Sequence, residues 1–283
     1  MHSETIFGPA GYPLKGPKGG DAMAYLASEG LFAMEYQAVR SVRIGKAAAA
    51  MIGDAAKRND VMLTIHAPYA ISLSSEDRGI ASASRKRLIM AAMAGHYMGA
   101  FHVTFHAGFY GRRTKEDTFR LQLKSMQEVA AKLESLGVSV ELGPETTGKQ
   151  SQFGTLDELI ELSRSIPRVR PTLDFGHMHV RSQGSKFRRA EDCLNVLSRV
   201  ERELGTERSR SLVLHFSEVQ PTATGYGERR HWPLGSTYGP KFEYLAEAMV
   251  QVGYNMIVIC ESPLLDKDAL KMKGIFEKKL SIR

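Results

Sequence analysis

The chain alternates short, continuously apolar runs with longer stretches in which apolar residues recur every three or four positions. Short runs of this kind read as strands buried on both faces. They span 5–8, 31–36, 61–66, 101–106, 138–142, 169–174, 211–215 and 256–261. Between them, 22–28, 45–58, 84–98, 115–135, 155–165, 188–204, 240–252 and 266–279 each carry an apolar stripe opposite a charged face, the pattern of an amphipathic helix. Thr155 and Glu158 have the spacing of a capping box, and Gly137 and Gly253 stand where a helix must stop before the next strand. Eight strand–helix repeats in 283 residues predict an α/β fold, a (β/α)8 TIM barrel forming a single domain over 1–283. A doubly wound open sheet would favour a Gly-rich phosphate turn, and neither GxGxxG nor GxxxxGK[ST] occurs.

Composition narrows the class. At 43% hydrophobic and 24% charged residues the chain can bury a core, which excludes a disordered protein. The formal charge of +7 suits a polyanionic partner. Two cysteines, Cys193 and Cys260, without a CxxC exclude a disulfide scaffold and a thiolate zinc site. No run of 18 apolar residues occurs and the opening segment lacks an apolar signal core, so a soluble, cytoplasmic protein with no membrane partner is expected.

A barrel of this kind carries its active site at the C-terminal ends of its strands. Those ends hold His66 (TIHAPY), His106 (TFHAG), Glu145 (ELGPETTG), Asp174 with His177 (LDFGH), His215 (VLHFSE) and Glu261 (VICESP), and His231 follows in the loop GERRHWPLG. One such residue is usually a hydrogen-bonded loop residue or a helix cap. The whole set on one rim is not: it would gather costly polar and like-charged groups unless cations neutralise them. Imidazole with carboxylate and no thiolate suits Zn²⁺, Mn²⁺ or Fe²⁺, and eight donors exceed what one zinc takes. A multinuclear centre with a bridging carboxylate is therefore expected. His96 and His102 read as packing residues, His179 as a bystander, His2 as part of a terminus, and Cys260 as a small core residue.

The ordered set IHAPY, FHAG, PETTG, LDFGH, a strand-seven His, a loop His and a final ESP resembles the endonuclease IV family of AP endonucleases, from the first strand to Glu261. The GPAG opening and GERRHWPLG look closer to its archaeal-type members than to the bacterial ones. The resemblance implies a xylose isomerase-like TIM barrel with a trinuclear site, usually zinc. It also implies hydrolysis of the phosphodiester 5′ to abasic sites in double-stranded DNA, a base excision repair reaction. By position, His66 and His106 would hold one metal. Glu145 would bridge it to a second held by Asp174, His215 and Glu261, and His177 and His231 would hold a third. Glu145 and Glu261 would be the catalytic carboxylates, and Zn²⁺, as two or three ions, the cofactor, with Mn²⁺ as the alternative.

Three positions depart from the family pattern. Arg229 stands at the aspartate of D-x-H, with Glu228 the nearest carboxylate; Thr146 replaces an Asn; and Ala70 replaces the apolar residue after Tyr69. The favoured expectation is a weak or absent third metal, with Arg229 clamping phosphate alongside Arg112 and Arg230 and Tyr69 stacking at the abasic gap. The cluster 85–87 reads as a solvated helix face. The rival function is a sugar isomerase or epimerase of the same superfamily, with one divalent metal and Glu145 and Glu261 as the proton-transferring pair. It leaves His66, His106 and His231 partly unexplained. A metal-dependent nucleic-acid binder without activity is the third reading.

Overall fold

Strands that are apolar on both faces must be covered on both, and parallel strands joined by helices achieve this by closing on themselves. A computed structural model describes residues 4–225 and 227–282. The barrel strands are β1 (Ile6–Pro9), β2 (Ala33–Gln37), β3 (Met62–His66), β4 (His102–Phe105), β5 (Glu141–Pro144), β6 (Thr172–Asp174), β7 (Val213–Phe216) and β10 (Ile257–Cys260). They form two parallel sheets, β1-β10-β7-β6 and β2-β3-β4-β5. Parallel bridges Ala10↔Glu35 at one seam, and Leu142↔Val169 and Glu145↔Thr172 at the other, close the ring.

Around it run α1 (Asp21–Ser28), α2 (Lys46–Arg58), α3 (Arg78–Met98), α4 (Lys115–Ser135), α5 (Leu156–Ser165), α7 (Ala190–Leu204), α9 (Phe242–Val252) and α10 (Asp266–Leu280). The capping box at Thr155 forms, with both reciprocal bonds to Glu158 present. Gly253 ends α9 in the left-handed region at φ 68°. Helix α3 starts six residues before its periodic pattern does, because Asp77 caps it, accepting from the amides of Gly79 and Ile80 at 2.6 and 3.0 Å. Three elements have no counterpart in the sequence reading: α6 (Phe175–Arg181), the short α8 (Thr206–Ser209), and the antiparallel hairpin β8 (Glu218–Pro221) with β9 (Glu228–Trp232). No helix among the described residues is long and apolar enough to cross a membrane.

The main core lies between the outer faces of the strands and the helices. Inside the ring, Ile6, Ala33, Val213, Ile257 and Ile259 form a separate small cluster at the N-terminal end. Above it the interior turns polar. His102 Nε2 pairs with Thr172 Oγ1 at 2.8 Å, and Thr104 Oγ1 lies 3.2 Å from the same oxygen. His102 is thus buried as expected, but as a hydrogen-bonding residue. His96, expected in packing, is exposed on α3. Cys260 is fully buried and its thiol is pushed up to about 12, chiefly by burial, so it is an inert core residue. His2 lies outside the described residues.

Gly143 on β5 faces this polar layer, and a Cβ there would sit 1.9 Å from His102 Nε2. Gly143→Ala should displace His102 from Thr172 and destabilise the fold by about 1–3 kcal/mol, the usual cost of overpacking. Urea unfolding measures this, and an unchanged midpoint would show that the interior yields without cost.

Candidate metal centre

Each strand delivers its last residues to the same rim. β3 places His66 there, β7 His215 and β6 Asp174, while His106, Glu145 and Glu261 follow one residue after β4, β5 and β10; Glu35 lies beneath them in the middle of β2. Asp174 also caps α6: its Oδ1 accepts from the His177 amide at 2.6 Å, which turns the chain so that His177 faces inward. Glu35, His66, Glu145, Asp174, His177 and His215 are all essentially inaccessible to solvent.

Glu145 stands at the centre. Its Oε2 is 2.8 Å from His106 Nε2 and 3.4 Å from His66 Nε2; its Oε1 is 3.2 Å from His215 Nδ1 and 3.4 Å from His177 Nδ1. Glu261 Oε1 is 3.2 Å from His215 Nδ1, and Asp174 Oδ2 is 3.5 Å from His177 Nδ1. On the outer side Glu228 Oε2 lies 2.6 Å from His177 Nε2 and 4.0 Å from His231 Nε2.

Four overlapping donor groups result, each with its donor atoms within 4.8 Å of one another. They are His66–His106–Glu145, Glu145–Asp174–His177–Glu261, Glu35–His215–Glu261 and His177–Glu228–His231. All eight residues expected as ligands are therefore brought together. Glu145 Oε2, Asp174 Oδ2 and Glu228 Oε2 are buried acceptors with no hydrogen-bond donor. Buried carboxylate oxygens without donors, facing imidazoles, are what a divalent cation satisfies, so the residues present fit one.

The histidines are aimed by their second nitrogens. His66 Nδ1 meets the Ala67 carbonyl at 2.8 Å, His177 Nδ1 the Thr146 carbonyl at 2.9 Å, and His231 Nδ1 the Ser217 hydroxyl at 3.0 Å. Each anchor leaves Nε2 as the free donor. Thr146 works here in place of an Asn: its hydroxyl accepts from the Asp174 amide at 2.8 Å and so ties β6 to the segment after β5.

The third group brings in Glu228 and leaves Arg229 out. The hairpin pairs Gln220 with Arg230 and then Pro221 with Glu228, so its register skips Arg229. That is a β-bulge, and one extra residue swaps the faces of the strand beyond it. Glu228 consequently shares a face with His231 and meets His177, while Arg229 is exposed.

Tyr69 does sit over the site, 59% exposed, its ring 5.4 Å from that of His66 and 5.8 Å from that of His106. The arginines do not line it. Arg112 is 92% exposed beside Glu76, and Arg230 stacks on Trp232 at 5.0 Å. The cleft above the donors, about 280 Å³, takes its cation from Lys149 and a second aromatic from Phe109, neither of which the sequence reading named. Arg85 pairs with Glu128 at 3.1 Å on a helix face, as expected. His179 Nδ1 meets the Lys186 carbonyl at 2.7 Å, apart from the cleft.

Profile comparison matches residues 23–275 to the family described as Xylose isomerase-like TIM barrel, and the chain belongs to it. It is 33% identical over 275 residues, 96% of this chain and 97% of the other, to an uncharacterized protein of Methanocaldococcus jannaschii. Among solved structures it is similar to endonuclease IV from Thermus thermophilus, with TM-score 0.70 and 19% identity over 98% of this chain and 100% of that one. A D-tagatose 3-epimerase-like protein is equally similar, with TM-score 0.70 and 17% identity over 93% of each chain. Likeness at that identity establishes the fold and is silent on the reaction.

The electrostatics give a prediction. Burial alone would lower the pKa of His215, but Glu35, Glu261 and Glu145 outweigh it and hold the imidazole well above its ordinary value. Burial is likewise outweighed at His177 by Asp174 and Glu228, and at His66 by Glu145 and Glu35, so both are raised. Burial would raise Glu145, yet His106 and His215 hold it well below the usual range, and His177 brings Glu228 to about 2. Asp174 is raised by burial, with Glu261 and Glu145 adding to it.

Raised histidines stabilise the metal-free fold fully below their ordinary value of 6.5, and that contribution disappears as pH rises through the raised folded values. Depressed carboxylates stabilise it above 4.5 and lose their effect as pH falls through the folded values. After chelation the Tm should therefore be higher at pH 6 than at pH 9, and zinc should restore it at pH 9, where fewer protons compete for the imidazoles. A Tm that does not change from pH 6 to 9 after chelation would contradict this electrostatic picture.

Proposed function

We propose that the protein is a multinuclear metal-dependent phosphodiesterase that incises DNA 5′ to abasic sites, with zinc as the metal and manganese as the alternative. The observation that carries this reading is the sharing of Glu145 between donor groups: His66 and His106 lie at one oxygen, His215 and His177 at the other. A single-metal epimerase would use Glu145, Asp174, His215 and Glu261, and leaves His66, His106, Glu228 and His231 partly unexplained.

When bound, divalent cations supply Lewis acidity at a phosphate and acidify the attacking water. The chain does the rest. Glu145 ties two donor groups at a fixed separation, because each of its oxygens faces a different one. The anchored imidazoles of His66, His177 and His231 hold their directions with little reorganisation, which is what electrostatic preorganisation requires. Tyr69 and Phe109 offer exposed rings, 59% and 46%, against which the unstacked edges of an abasic gap can pack. Lys149 supplies a positive charge in the cleft, and Arg112, Arg229 and Arg230, exposed outside it, are placed for phosphates further along a duplex.

The direct test is incision of a duplex bearing a tetrahydrofuran abasic analogue by zinc- or manganese-loaded protein, with Glu145→Gln expected to abolish it. No incision with either metal, together with epimerisation of a ketohexose, would replace this reading by the superfamily's sugar chemistry.

The bulge supplies a sharper expectation. Glu228→Ala should lower zinc content by one ion per chain and cost more than 100-fold in incision rate, whereas Arg229→Ala should keep the metal and weaken duplex binding only several-fold. Elemental analysis and a binding titration separate them; equal metal content in the two variants would remove Glu228 from the centre.

A further inference from the structure

Glu35 lies on β2 at the inner side of the centre, within 4.8 Å of Glu261. Its burial is complete, and its neighbours are Thr64 Oγ1 at 3.2 Å, Gln37 Nε2 at 2.9 Å and His215 Nε2 at 3.1 Å. No lysine or arginine pairs with it in the barrel interior among the described residues. A carboxylate buried this way costs several kcal/mol unless a partner carries a compensating charge or proton. His215 is the partner that can.

The two nitrogens of His215 face opposite tasks. Nδ1 looks at Glu145 Oε1 and Glu261 Oε1, both at 3.2 Å, while Nε2 looks at Glu35 Oε2. A neutral imidazole has one N–H and one lone pair, and the group that accepts the N–H decides which nitrogen ligates. The other anchored histidines of the centre meet a backbone carbonyl or a hydroxyl. His215 alone among them is anchored by a carboxylate, at Nε2, which leaves Nδ1 as its unanchored nitrogen.

We propose that Glu35 is a positioning residue: it accepts the Nε2 proton of His215 and so directs the Nδ1 lone pair into the gap between Glu145 and Glu261. Glu35 belongs geometrically to the Glu35–His215–Glu261 group, but it meets the ring at the nitrogen turned away from Glu145 and Glu261. It therefore acts through the ring and does not share the ring's cation. The assignment rests on the metal reading above and adds a residue to it.

The test is zinc titration by calorimetry on wild type, Glu35→Ala and Glu35→Gln, each also in a His215→Ala background, with 15N NMR of the zinc-loaded wild type. Loss of an outer hydrogen-bond partner of a ligating histidine typically weakens metal binding about 10–100-fold, so Glu35→Ala should lose that much at one site. Glu35→Gln should recover most of it, since the amide oxygen still accepts from Nε2. With His215 already removed, Glu35→Ala should add less than about threefold, as expected when both act through one ligand. The NMR spectrum should show His215 protonated at Nε2.

Wild-type affinity in Glu35→Ala would overturn the proposal, as would an equal loss in the His215→Ala background. A zinc-loaded wild type with His215 protonated at Nδ1 overturns it even if the alanine variant fails to fold. A wild type that takes up no zinc would instead overturn the metal reading and this inference with it.

Discussion

The structure depends on the cost of burying Glu145. An ionised carboxylate removed from water is tolerated only where positive charge reaches its oxygens. Here that charge comes from imidazoles carried by β3, β7, α6 and the segment after β4, elements distant in sequence that closure of the barrel brings to one point. Around that carboxylate His66, His177 and His215 are all held above their ordinary imidazole value, whereas a ligating nitrogen must be free of its proton. If cations bind there, they compete with protons at the mouth of the ring, and cation affinity is then coupled to barrel closure.

Most of this was legible in the sequence because strand ends are marked. Each ligand-bearing strand is an apolar run that stops at a His, Asp or Glu, and a closed barrel brings all its strand ends to one face. That is why His66, His106, Asp174, His215 and Glu261 could be placed together without coordinates. Glu35 could not. It lies two residues inside a strand, flanked by Met34 and Tyr36, and nothing in LFAMEYQ says which alternate positions face the interior and which the helices. Only the register of Glu35 with Thr64 shows that it looks inward.

Glu228, named in the sequence only as the nearest carboxylate, was set aside for a different reason. Period-two alternation puts Arg229, not Glu228, on the face of His231, and sequence spacing alone assigns that position to the arginine. The skipped residue in the hairpin register reverses the assignment. An insertion of one residue before a ligand would ordinarily rotate it out of a site. Absorbed as a bulge, it costs a local kink and returns a carboxylate to His177, while the guanidinium, which could not ligate, is turned to solvent. A glutamate, one methylene longer than aspartate, reaches His177 from the bent strand.

The interior of the barrel explains why so polar a rim can sit on a stable fold. Its N-terminal end is closed by Ile6, Ala33, Val213, Ile257 and Ile259. Above them His102, Thr104 and Thr172 bond among themselves, and Thr64, Glu35 and His215 form a second polar set next to the donors. Polarity thus rises along the axis, and in the upper set Thr64 bonds Glu35, which meets the inner nitrogen of His215. An apolar plug directly under His215 would leave its inner nitrogen unpaired and its ring free to turn. The polar layer removes that freedom. The side chains that support the centre are therefore barrel-core residues, and the layering that stabilises the interior also sets the direction in which His215 presents its lone pair.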